Sequence, residues 1–315
     1  MIRFRSVNRW YRERFGQRVQ RLPLYGGATC PNRDGTKGTG GCLYCDSRGS
    51  AADHLDFTAT LTRQFESGVR EIENRYNGSS ILLYFQPFST TYGDRDNLET
   101  FLRKVLKDER VRGVSLATRP DCLSNTWLDF LEELGRQTYV ELELGLESAS
   151  DATLSFLNRG HSVSDFTRAA DLVRQRGIPV IAHAILGLPG EETGAAGKLG
   201  ALLAGLPLHG VKYHAFHLMA SSPLARMLGF KRGDKLMGGE SLCAEGIPAF
   251  KILTPESYAA CLIEALLPLP RDTVIYRFTG ERFSDDMVGP LWLQRKLQTR
   301  TELKRRLETA GISIE

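Results

Sequence analysis

The chain predicts an α/β protein built on a mainly parallel sheet, and three observations predict it. Apolar strand-like runs alternate with amphipathic helical stretches from about residue 19 to residue 219, the pattern of βαβ units. The strand YVELELGLE (139–147) carries leucines on one face and acids on the other, which sets a helix-covered outer face against a polar inner one. A loop after the first strand, CPNRDGTKGTGGCLYC (30–45), gathers three of the six cysteines.

The elements follow in order. A strand near residues 19–25 opens the series. Residues 58–76 carry Leu61, Phe65, Val69 and Ile72 at helical spacing, and Asn77-Gly78 ends that helix. SILLYFQPF (80–88) is a buried strand closed by Pro87. A helix over 96–107, the strand GVSLAT (113–118), a helix over 126–136 and the strand 139–147 come next. Ser162 to Gln175 is a helix stopped by Gly177, PVIAHAILG (179–187) a strand, 191–205 a helix, and VKYHAFHLM (211–219) the last strand. That makes six βα units. Residues 220–250 read as an irregular loop over the open face, followed by a helix (255–266), a strand (273–277) and a basic tail. The expected organisation is a basic N-terminal extension (1–18), an α/β body (19–250) holding the cysteine loop, and a helical C-terminal extension (251–315).

Composition narrows the class. The 315 residues are 42% apolar and 25% charged, as in a soluble globular protein. No run approaches the roughly 18 apolar residues of a membrane span. The start, MIRFRSVNRWYRERFG, has no apolar core of the kind a secretory signal needs, so the cytoplasm is expected. Six cysteines in so long a chain do not make a disulfide framework; three clustered ones read as metal or redox use. The net charge of +4 is uneven: residues 1–30 hold seven Arg and one Glu, and 291–315 hold six Lys or Arg and three Glu. Basic stretches with Trp10, Tyr11 and Trp292 nearby suit a nucleic-acid backbone and its bases. Amphipathic terminal helices with solvated charges would look the same.

The chemistry sits in few places. Cys42 and Cys45 form a Cys-x-x-Cys pair that can reach one metal centre, and Cys30 joins from the far end of a loop too rich in Gly and Thr to be helical. Three thiolates without an obvious fourth leave a coordination position open. On the acidic strand, Glu141, Glu143 and Glu147 share a face with Gly145. An unpaired carboxylate inside a barrel would be expensive, so a polar interior implies an incomplete barrel that holds a ligand. An edge strand with its acids in solvent is the alternative. Lys212 and His214 share a face of the last strand, while Tyr213 and His217 share the other. His183 interrupts an apolar strand, either as a satisfied core histidine or as a ligand. The cysteines with His54 could also make a four-ligand zinc site in a non-catalytic nucleic-acid module, although such a module would not need six βα units.

The cysteine loop, ATRPDCL (117–123), ELGLESA (143–149), LNRGH (157–161), LGLPGE (186–191) and the VKYHAFHL strand occur together, in this order. Over about residues 10–300 the chain thereby resembles the YhcC-like branch of radical S-adenosylmethionine (SAM) proteins, which is related to the catalytic subunit of Elongator. The Cys-x11-Cys-x2-Cys spacing departs from the commoner Cys-x3-Cys-x2-Cys and marks that branch. The resemblance implies a partial (β/α)6 TIM-like barrel with a [4Fe-4S] cluster on Cys30, Cys42 and Cys45. Its fourth iron would chelate SAM, and one electron would split the S–C5′ bond to give methionine and a 5′-deoxyadenosyl radical.

Residue by residue, the resemblance places Tyr44 near the adenine, and Gln86 and Phe88 at the SAM amino group. Thr118 falls at the ligand-binding end of the third strand, and Glu147 close to SAM. Arg159 would pair with the SAM carboxylate. His183 stands where relatives often place an acid for the ribose, and Gly187 and Leu188 lie in the turn passing the adenine. Lys212 and His214 are candidates for substrate contact. Cys122 is either a reactive thiol or a core residue; Cys243 and Cys261 show no ligand spacing. The implied substrate is transfer RNA at its wobble uridine, with a protein or small metabolite as the alternative. The implied reductant is of the flavodoxin or ferredoxin type. Only 65 residues follow Phe250, so an acetyltransferase domain like Elongator's is not expected.

Overall fold

The computed structural model describes residues 1–52, 54–76, 80–280 and 284–315. In chain order the elements begin β1 (Ile2–Ser6), α1 (Val7–Phe15), β2 (Val19–Leu24), α2 (Leu61–Arg75), β3 (Ser80–Phe85), α3 (Arg95–Val105), β4 (Val111–Thr118) and α4 (Asn125–Gly135). They continue with β5 (Tyr139–Glu147), α5 (Asp151–Phe156), α6 (Val163–Gln175), β6 (Val180–Leu186), α7 (Ala195–Ala204), β7 (Gly210–Ala215), β8 (Leu218–Met219) and α8 (Pro223–Met227). The last are β9 (Ser241–Ala244), β10 (Ile247–Lys251), α9 (Pro255–Leu266), β11 (Val274–Arg277), β12 (Met287–Gly289), α10 (Lys296–Thr309) and β13 (Ile312–Ile314). The helix stop expected at Asn77-Gly78 lies outside the described residues.

The main sheet runs β13-β1-β11-β7-β6-β5-β4-β3-β2, and its neighbours are parallel. Its stretch from β2 to β7 is the six-unit series the sequence predicts. Strands buried on both faces carry it: all six residues of β3 and all nine of β5 are buried. Helices start where a side chain can accept the free N–H groups of the first turn: Thr60, Asp94, Ser124 and Ser162 cap α2, α3, α4 and α6. Among the described residues no helix is long and apolar enough to cross a membrane.

Two expectations are corrected. Residues 1–18 do not lie outside the sheet, because β1 pairs with both β11 and β13 and buries Phe4. The ends of the chain therefore widen the sheet from six to nine strands among the described residues. Residues 220–250 are not an irregular loop throughout. They include α8 and the antiparallel hairpin β9–β10, packed in a second apolar cluster with Phe216, Leu224, Leu236 and Phe250, against which Leu43 and Tyr44 lean.

One contact fixes how closely the outer helices approach. A Cβ on Gly200 of α7 would overlap the backbone of Ala265 in α9. Gly200→Val should therefore force the two helices apart and cost about 1–3 kcal/mol, read as a lowered urea midpoint; an unchanged midpoint would refute the close packing.

Candidate active site

β5 sets out the interior in tiers, because alternate residues of a strand face the same way. At its N-terminal end, buried Glu141 accepts hydrogen bonds from Tyr11 (2.9 Å), Tyr139 (2.8 Å) and Tyr276 (2.6 Å). Tyr11 belongs to α1, and Phe15 meets the Tyr139 ring edge-on at 5.5 Å. The basic start of the chain thus plugs the end opposite the cysteines. Its Arg9 is held by Glu13 and Glu315.

The middle tier is built on Glu143, which is fully buried. Its Oε2 accepts from Tyr84 (2.9 Å), Lys212 Nζ (2.7 Å) and His183 Nε2 (2.5 Å), and its Oε1 takes Arg21. The Arg21 guanidinium stacks 3.6 Å from the Tyr84 ring centroid. Burial alone would raise the Glu143 carboxyl, but Arg21, Lys212 and His183 hold it well below the usual carboxylate range. Burial outweighs Glu143 at Lys212 and pulls its ammonium from 10.5 down to about 7. The folded state therefore binds this proton more weakly than the unfolded chain does. The Lys212 contribution to stability is fully present above pH 10.5 and is lost as pH falls to 7, with a slope of at most about 1.4 kcal/mol per pH unit. Relative to Lys212→Met, the parent should gain stability between pH 7 and 10 in urea titrations; parallel curves would remove the buried, weakened ammonium.

The top tier meets the cysteine loop at the C-terminal ends of the strands, where ligands bind in α/β sheets. A bulge between Gly145 and Glu147 turns β5 outward, and Glu147 takes a positive φ of 71°, an uncommon conformation for a side chain of this kind. Arg159 pairs with Glu147 at 3.3 Å and donates to the Gly145 carbonyl at 3.0 Å. LNRGH also braces the cysteine loop: Leu43 N donates to Leu157 O, and Asn158 Nδ2 to Gly41 O.

Cys30, Cys42 and Cys45 line one cleft. N–H donors point at two of the sulfurs: Arg33 to Cys45 at 3.1 Å, Asn32 and Arg159 to Cys42 at 3.6 and 3.8 Å. Burial, then Cys42, pushes the Cys45 thiol up to about 12, against Arg33. Such a thiol ionises when a metal binds it. Among the described residues no three His, Cys, Asp or Glu side chains are placed to hold a single metal ion. His54 is exposed and off the cleft wall. Three soft donors, two of them with N–H groups directed at their sulfurs, fit an iron–sulfur cluster.

The cleft opens to solvent. Tyr44, Gln86, Phe88, Thr118, Glu147, Arg159, His183 and His214 line it with the cysteines. Four expected residues do not line it. Cys122 is buried in the short turn Pro120–Cys122, its thiol raised to about 11 by burial, and lines a shallow pocket beside Tyr92 and Trp127 instead, as the core reading expects. Leu188 is 1% exposed in the second apolar cluster, and Gly187 faces Leu253. Lys212 lies beneath the cleft wall, reaching it only through Glu143 and His183. Arg33, Arg119, His217 and Arg277 line the cleft without having been singled out. Arg33 and Arg119 stood inside quoted motifs, CPNRDG and ATRPD; Arg277 lies on a strand beyond the six units.

Comparison with known proteins shows the family. The family model described as the radical SAM superfamily matches residues 30–195. YtqA of Bacillus subtilis is 30% identical over 98% of this chain and 91% of its own length. YhcC of Escherichia coli K12 is 31% identical over 95% of this chain and 90% of its own length. The solved structure of archaeal Methanocaldococcus infernus Elp3, lacking its N-terminus, superposes with a TM-score of 0.61 at 15% identity, covering 90% of this chain and 63% of that one. A shorter stretch is 33% identical to the tRNA uridine(34) acetyltransferase of the same archaeon, over 29% of this chain and 17% of that protein. The chain belongs to the radical SAM superfamily, and is an enzyme whose cofactors are a [4Fe-4S] cluster and SAM.

Proposed function

We propose that the substrate is RNA, a transfer RNA whose uridine side chain loses a hydrogen atom to the radical, and that Cys30, Cys42 and Cys45 hold the cluster. The observation that carries the RNA substrate is the local similarity to tRNA uridine(34) acetyltransferases. The basic N-terminus adds nothing to it, since it lies at the closed end of the sheet.

When bound, the cluster and SAM supply a reducing electron and a carbon-centred radical. The rest falls to the chain. Arg33, Asn32 and Arg159 donate toward the sulfurs and favour their anionic charge. Arg159, with a buried Nε that has no partner, presents its guanidinium for the SAM carboxylate beside Glu147. Gln86 is anchored by its Nε2 on the Ser50 carbonyl at 2.8 Å, which leaves its carbonyl oxygen for the SAM amino group. Tyr44 and Phe88 wall the space and exclude water.

Gly145 is small for a reason that can be tested. A Cβ there would overlap Arg159 Nη2 and come within 2.6 Å of Glu147 Oε1. Gly145→Ala should weaken SAM binding by about tenfold or more through the displaced guanidinium, measured by titration of the cluster-loaded protein; unaltered affinity would remove Arg159 from the SAM site. For the substrate, anaerobically reconstituted protein with SAM and dithionite should form 5′-deoxyadenosine faster when bulk tRNA is added. Stimulation by peptides or small metabolites instead of tRNA would defeat the RNA reading.

A further inference from the structure

Four arginines line the cleft, and three are committed. Arg33 binds the Cys45 sulfur and the Asp46 carbonyl, Arg119 forks onto Asp121 through two 2.9 Å bonds, and Arg159 pairs with Glu147. Arg277 differs: among the described residues it has neither a carboxylate nor a carbonyl partner. It ends β11, in register with Lys212 of β7, and reaches the cleft wall formed by β6, β7 and β11. His214, two residues along β7, stands on the same wall. Its Nε2 is buried with no partner among the described residues. Burial, then Arg277, keeps this imidazole neutral, so in one tautomer Nε2–H is a donor aimed at nothing. A free guanidinium beside a free donor on a cleft wall is what an oxyanion needs. Phe216 and Met219 supply apolar surface next to them, on which a base could rest.

We propose that Arg277 and His214 form an anion subsite that takes a phosphate group of the nucleotide being modified. The assignment rests on the RNA reading above. A nucleotide within RNA carries a phosphate on either side of its sugar, and Arg159 already serves the SAM end of the cleft. Arg277 holds the phosphate through its planar fork, and His214 adds one hydrogen bond, together fixing which carbon faces the radical. Arg277 comes from β11, outside the six βα units, while His214 belongs to β7, the last strand of that series.

Calorimetric titration of the cluster-loaded, SAM-bound protein tests this with uridine, uridine 5′-monophosphate, inorganic phosphate and malonate. Uridine 5′-monophosphate should bind about tenfold more tightly than uridine. That difference should vanish in Arg277→Gln and be partly retained in Arg277→Lys, with both variants keeping the parent unfolding midpoint. Equal binding of the monophosphate by parent and Arg277→Gln overturns the subsite, as does Arg277-dependent binding of malonate without phosphate. If phosphate binds through Arg277 yet uridine 5′-monophosphate gains nothing over it, the subsite stands and the RNA reading falls. Should Arg277→Gln unfold early, His214→Phe gives the same comparison, with a smaller loss expected.

Discussion

Cys42→Ala should yield folded protein that holds no [4Fe-4S] cluster and forms no 5′-deoxyadenosine, a loss of more than about 100-fold. The loop's shape does not depend on that sulfur. Gly41 N donates to Asn32 O at 2.8 Å, Leu43 N to Leu157 O at 2.9 Å, and Asn158 Nδ2 to Gly41 O at 3.1 Å, so backbone bonds and the LNRGH segment hold it from both sides. What the substitution removes is one of three donors and the target of Asn32 and Arg159. Cys122→Ala is the matched control, because that thiol lines a different pocket and is kept protonated by burial; it should retain full iron and sulfide. Iron and sulfide per chain, with the nucleoside measured after dithionite and SAM, separate the two. A complete cluster in Cys42→Ala would sink the ligand assignment.

How much of this was legible in advance follows from the range over which each feature is determined. The tiers of β5 were readable because alternation is local: Leu142, Leu144 and Leu146 facing out forces Glu141 and Glu143 in, and a buried acid must find partners. The identity of those partners was not readable. Arg21, Tyr84, Lys212 and Tyr276 come from four other strands, and only the sheet order brings them together. The cysteine loop announced itself by composition, and its motif carried Asn32 and Arg33 along. The chain ends failed for a physical reason: β1 and β13 are five and three residues long, too short for a pattern, and they are strands because they pair with each other and β1 pairs with β11. Arg277 lay at the end of an expected strand, but only the pairing of β11 with β7 carries it to the cleft. His217 was counted onto the Tyr213 face by alternation, but β7 ends at Ala215, and beyond a strand's end alternation no longer sets direction. Cys122 follows Thr118 closely, but in the turn Pro120–Cys122 it is buried and lines a different pocket, so of its two readings the core one fits.

Glu143→Ala should destabilise the fold by about 3 kcal/mol, near the low end of the about 3–5 kcal/mol for breaking a buried ion pair. The low end follows from what each partner can do afterwards. Lys212, already at about 7, sheds its proton and becomes a neutral amine bonded to Tyr84 at 2.6 Å. Arg21 cannot lose its proton, but it keeps Glu141 at 3.9 Å and the Tyr84 ring. Glu143→Gln should fall between parent and alanine, since its amide retains an acceptor for one of the donors without the charge. Urea unfolding of the three proteins checks the order, and a loss under 1 kcal/mol in Glu143→Ala would mean the network does not hold the interior together. The decisive comparison is Arg21→Met/Glu143→Leu/Lys212→Met. Buried ion clusters replaced by apolar residues of similar volume are often as stable as the parent, so this variant should recover most of what alanine loses. His183 would then face the cleft without the carboxylate that orients its Nε2 at 2.5 Å. Restored stability with impaired 5′-deoxyadenosine formation would place the value of these charges in positioning His183 for the chemistry above it; restored stability with full turnover would leave the tier with no role in the reaction.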